Sequence, residues 1–142
     1  MLKKMTLQIM ILLVGIVSGG AIWSAPVYTD QQPPIVVQAD YPVFSIRLRA
    51  NPTTGYQWHI VEYNHRLLTL AAHHFMQTTR TNQLIGAPGE EQWTFQVTPA
   101  AFKKAQETTI RLTYARPWEK AGNHTDATFH IQIRPMVKPV VK

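Results

Sequence analysis

The amino-acid sequence predicts an all-β fold, a two-sheet antiparallel β-sandwich of about seven strands, and two observations carry that expectation. From residue 35 onward the apolar side chains recur with a period of two, and only one short stretch has a helical look. A strand with that period has one dry and one wet face, so its apolar side must be covered by a second sheet. Several short alternating strands with no long helix are the pattern of an immunoglobulin-like sandwich. The inter-sheet disulfide of many such domains is absent, because the chain has no cysteine.

The elements follow in chain order. Lys3 and Lys4 precede an uncharged run from Met5 to Ala25, so residues 1–25 read as a signal peptide or, left uncleaved, an N-terminal anchor. The chain is therefore expected to be exported, periplasmic or secreted, and associated with a membrane only if that segment is retained. Residues 26–34 are polar and proline-bearing and read as a linker. Residues 35–135 form the domain and 136–142 a flexible tail. Within the domain the clear strands carry Phe44/Ile46/Leu48, Tyr56/Trp58/Ile60, Trp93/Phe95/Val97, Ile110/Leu112/Tyr114 and Phe129/Ile131/Ile133. Weaker strands are expected over Ile35 to Ala39 and His73 to Thr79, and one or two helical turns over Ala100 to Gln106.

Composition narrows the function. Without Lys3 and Lys4 the 14 Lys and Arg residues fall to 12 against 8 Asp and Glu, a balance that serves solubility. The arginines are dispersed along the chain and form no basic face, so no nucleic-acid partner is expected. The six histidines show no metal-ligand spacing, and Ser45, on a strand, is the lone serine after the leader. No catalytic residue, metal, cofactor or small-molecule substrate is expected, and the chain does not read as an enzyme.

Three segments between strands are too particular for generic connections. Asn51-Pro52-Thr53-Thr54-Gly55, followed by Tyr56, is a stiff turn: proline fixes φ, the asparagine side chain bonds nearby backbone, and glycine admits positive φ. Gly86-Ala87-Pro88-Gly89 leads into the Trp93 strand. Arg116-Pro117-Trp118 follows the Tyr114 strand, and Arg and Trp beside a stiffening proline are the side chains of a binding hot spot. In a sandwich of this type the three loops gather at one end, which is a binder's arrangement.

The combination Asn-Pro-Thr-Thr-Gly-Tyr-x-Trp, Gly-x-x-Gly before an aromatic strand, and Leu-Thr-Tyr-x-Arg-Pro-Trp resembles the chagasin family of cysteine-protease inhibitors, over about Ile35 to Pro135. The resemblance implies a reversible, tight-binding inhibitor that occludes the active-site cleft of papain-like cysteine proteases with its three loops and is monomeric when free. It places the Thr53/Thr54 turn over the catalytic thiol and assigns protease contact to Asn51, Pro52, Thr53, Thr54, Gly55, Tyr56, Gly86, Ala87, Pro88, Gly89, Arg116, Pro117 and Trp118. Pro88 departs from the family, whose middle loop usually carries adjacent glycines. The alternative is a non-inhibitory exported module that binds a sugar or a protein through its aromatic side chains.

Overall fold

A computed structural model describes residues 25–29, 33–77, 88–120 and 122–136. The leader, the tail beyond residue 136, Thr78 and Thr79, and the loop residues Gly86 and Ala87 lie outside the described residues. The strands are β1 (Val27–Tyr28), β2 (Ile35–Gln38), β3 (Val43–Ala50), β4 (Gln57–Tyr63), β5 (Leu68–Gln77), β6 (Gly89–Val97), β7 (Gln106–Ala115) and β8 (Thr125–Arg134). They form two four-stranded sheets, ordered β1-β3-β6-β5 and β2-β8-β7-β4. The sandwich expected from the period-two pattern is present. The body of each sheet is antiparallel, while β1 adds to β3 and β2 adds to β8 in parallel.

The alternation is the cause of the packing. Phe44, Ile46 and Leu48 of β3 and Phe95 and Val97 of β6 are buried against Ile110 and Leu112 of β7 and Phe129, Ile131 and Ile133 of β8. Phe44 and Phe95 stack with ring centroids 5.9 Å apart. Each such side chain contributes roughly 1.5–3 kcal/mol on leaving water, so stability rests on burial with no covalent staple.

Three elements differ from the expectation. Strand β5 starts at Leu68, five residues before His73, and its register shifts between Leu70 and Ala72. That bulge resets the side-chain phase, and β5 lies at a sheet edge with most of its side chains exposed. An alternation search therefore picks up only part of it. The stretch expected to be helical is a short 3-10 turn over Pro99–Lys103, and Gln106 already belongs to β7. Finally, Val27 and Tyr28, inside the stretch read as a linker, pair with Ser45 and Ile46.

Register sets the functional end. Ala50 at the close of β3 pairs with Gly89 at the opening of β6, which also pairs with Gln77 at the close of β5. On the other sheet Gln57, opening β4, pairs with Ala115, closing β7, and Tyr114 pairs with Thr125, opening β8. The segments 51–56, 116–120 and 122–124, and both stems of the loop between β5 and β6, thus lie at one end of the sandwich.

Candidate functional site

The first loop is built from its own backbone. Pro52–Thr54 is a single 3-10 turn, in which the Thr54 amide donates to the Asn51 carbonyl (3.2 Å) and the Gly55 amide to that of Pro52 (3.1 Å). Gly55 has φ 80°, the left-handed region that side-chain-bearing residues avoid. Both threonine hydroxyls point inward as donors, Thr53 Oγ1 to Asn51 Oδ1 (2.6 Å) and Thr54 Oγ1 to the Asn51 carbonyl (2.7 Å). Pro52, Thr53 and Thr54 are exposed at the tip. The turn is formed before any partner arrives.

Its base is bolted to both sheets. The Tyr114 hydroxyl accepts the Asn51 amide (2.8 Å), and Trp58 Nε1 donates to the Arg49 carbonyl (2.9 Å). Tyr114 packs against Tyr56 (5.4 Å between centroids) and Trp58 (5.1 Å), a short aromatic stack running from the loop into the core. Below it, the buried Glu91 carboxylate of β6 accepts the Trp58 amide (3.4 Å) and partners His73 Nε2 (2.9 Å), whose ring stacks on Trp93. Glu91 bridges the sheets directly beneath the loop. Its role is not legible in the sequence, where Glu91 falls between the turn residues Gly86 to Gly89 and the first apolar residue of the strand, Trp93.

The third loop is a β-turn, closed by the Glu119 amide donating to the Arg116 carbonyl (3.1 Å), with Pro117 and Trp118 at its corner. Trp118 is 68% exposed, the most exposed of the large hydrophobic side chains described, and its indole lies against Gly55 of the first loop. A Cβ placed on Gly55 would lie 2.7 Å from Trp118 Cη2, so the indole sits where only glycine leaves room. Arg116, partly exposed, reaches back to the first loop. Its Nε donates to the Thr54 carbonyl (3.0 Å), its Nη1 to Glu119 Oε1 (2.9 Å), and its guanidinium lies 4.6 Å from the Tyr56 ring centroid. The hydrogen bond from Arg116 to Glu119 raises the guanidinium pKa, keeping it charged.

Of the middle loop, Pro88 is exposed and Gly89 buried. A Cβ on Gly89 would overlap the Phe75 ring and the Met76 carbonyl, which explains glycine there. The structure therefore brings Asn51, Pro52, Thr53, Thr54, Gly55, Tyr56, Arg116, Pro117 and Trp118 together, with Pro88 and Gly89 on the stem beside Ala50. The other side chains considered for chemistry lie elsewhere or are enclosed. Ser45 is buried and hydrogen-bonded to Thr94 (2.8 Å), Trp58 and Trp93 are buried, and no cluster fit to hold a metal occurs among the described residues. What the end offers is a rigid, exposed, mostly uncharged projection.

The model of the chagasin family of peptidase inhibitors matches residues 42–133, a span that contains all three loops. Amoebiasin-2 of Entamoeba histolytica is 36% identical over 78 residues, which is 55% of this chain and 58% of that protein's own length. The crystal structure of the cysteine protease inhibitor EhICP2, from the same organism, superposes with a TM-score of 0.60 at 26% identity, covering 78% of this chain and 96% of that one.

Proposed function

The chain belongs to the chagasin family of peptidase inhibitors, and from that premise we propose that it is a reversible, tight-binding inhibitor of papain-like cysteine proteases, occluding the active-site cleft with the loop end of the sandwich. The observation that carries this reading is the interlocked pair of turns: Pro52–Gly55, held by its own hydrogen bonds and by Tyr114 and Arg116, with the exposed Trp118 packed against Gly55. Such a surface loses little conformational freedom on docking, and preorganisation is what turns an ordinary interface into a tight one.

The protein does no chemistry of its own in this reading. The Pro52–Thr54 tip enters the cleft above the protease thiol, Trp118 lies on an apolar surface beside it, and the Gly86–Gly89 loop meets the other flank. Because the tip is a tight turn closed by i to i+3 bonds, it does not offer the extended backbone that a protease needs in order to cleave. A sugar-binding module is less well supported, since two of the four aromatics it would use for stacking, Trp58 and Trp93, are buried. In the cell the protein is exported, to the periplasm or beyond, and acts as a monomer.

The test is a titration of the exported protein against papain and a cathepsin L-like enzyme with a fluorogenic substrate. Stoichiometric inhibition at nanomolar enzyme, reversed on dilution, is expected. Full protease activity at micromolar protein would refute the reading.

A further inference from the structure

We propose that Arg116 is a positioning residue that locks the first loop to the third, and not a residue that the protease binds. The inference rests on the inhibitor reading but reassigns one of its residues. Taken from sequence alone, an arginine beside Pro117 and Trp118 is a hot-spot contact. In the fold its side chain serves both loops at once. Nε holds the Thr54 carbonyl, at the tip of the first loop, while Nη1 holds Glu119, the residue closing the third-loop turn. The flat face of the guanidinium lies over Tyr56, which stacks on Tyr114, whose hydroxyl holds the Asn51 amide at the start of the first loop.

Three features separate this arrangement from an arginine kept for a partner. Its charge is already matched by Glu119, and the same hydrogen bond raises its pKa. Its two bonds diverge to different loops, which a planar fork of donors can do and a lysine ammonium on a flexible stem cannot do with the same geometry. Its neighbour two residues on, Trp118, touches the same first loop at Gly55. The two side chains flanking Pro117 therefore hold the Pro52–Gly55 turn, one by hydrogen bond and ring contact, the other by packing. Without Arg116 the turns would have to find their relative position during docking, and that ordering cost would appear in binding.

Three variants and two readouts separate positioning from contact. The Thr54 and Gly55 amides are protected by the turn's own bonds, so their hydrogen exchange in the free protein reports whether the first loop is held. Arg116→Ala and Arg116→Lys are both expected to raise that exchange several-fold before any protease is added, and to weaken inhibition of papain by ten-fold or more. Glu119→Gln, which keeps the bond to Thr54, is expected to move both readouts in the same direction by less. Wild-type inhibition by Arg116→Lys would mean that positive charge is what matters, and would overturn the proposal. So would weakened inhibition by Arg116→Ala with exchange unchanged, since that is the signature of a direct contact. Should Arg116→Ala fail to fold, Glu119→Gln decides by the same pair of readouts: exchange and inhibition unchanged would count against the lock. Failure of the wild-type protein to inhibit papain would remove the inhibitor reading, and the exchange measurement would still establish whether Arg116 locks the loops.

Discussion

Gly55 and Trp118 show how one contact joins conformation to function at the residue scale. Gly55 is required twice, by its φ of 80° and by the indole carbon that lies 2.7 Å from where a Cβ would stand. Gly55→Ala is therefore expected to lose about 1–2 kcal/mol in urea unfolding, the cost of a side chain in the left-handed region, and to weaken inhibition as well, because the methyl displaces Trp118. Trp118 is the opposite case. At 68% exposure it has little to lose from the folded state but much area to bury against a partner. Trp118→Ala should leave the melting temperature nearly unchanged and cost about 2 kcal/mol or more of binding, roughly thirty-fold in the inhibition constant. A large stability loss with intact inhibition would remove this turn from the binding surface.

Strands hold the loops at the scale of elements, and Tyr114 is the joint between the two. Its hydroxyl accepts the Asn51 amide from β7, across 63 residues of sequence, while its ring supports Tyr56 and Trp58. Tyr114→Phe keeps the stack but leaves the amide unpaired in a half-buried place, so a stability loss of about 1–3 kcal/mol in chemical denaturation is expected, with the fold intact by circular dichroism. The same joint explains what was legible in advance. Strands such as β3 and β8 could be read because apolar and polar residue types alternate along them, as with the buried Phe129 and the exposed His130. Strand β5 was only half legible because its bulge at Ala71 breaks the period, and β1 was not legible at all because two residues show no period. The stiffness of Pro52–Gly55 was legible from residue type. Its partners were not: Tyr114, Arg116 and Glu91 reach the loop or its base through register between strands far apart in sequence, which no local pattern encodes. Arg116 was legible for its chemistry, but its bonds to Thr54 and Glu119, which join the two loops, were not.

Two properties of the whole molecule bear on how it meets a thiol enzyme. The chain has no cysteine, and its core is held by burial alone, so the melting temperature is expected to be the same with and without reductant. The protein can thus be assayed in the reducing buffers that cysteine proteases need. The electrophiles a thiolate attacks are peptide carbonyls, and at the loop end those of the Pro52–Thr54 tip are folded into a 3-10 turn and not presented on the extended backbone that cleavage needs. Association must then come from shape, apolar contact and hydrogen bonding, none of which requires a reactive nucleophile in the protease. Papain whose catalytic thiol has been capped with a small carboxamidomethyl group is accordingly expected to form a complex, detectable by size-exclusion chromatography or calorimetry, weakened only by the few atoms added beneath the Thr53/Thr54 tip. The inhibitor recovered from a complex with active enzyme should have its original mass. Complete loss of binding to the capped enzyme, or recovery of a chain cleaved within Asn51 to Tyr56 as a condition of inhibition, would show that the loop acts as a captured substrate and not as a preformed plug.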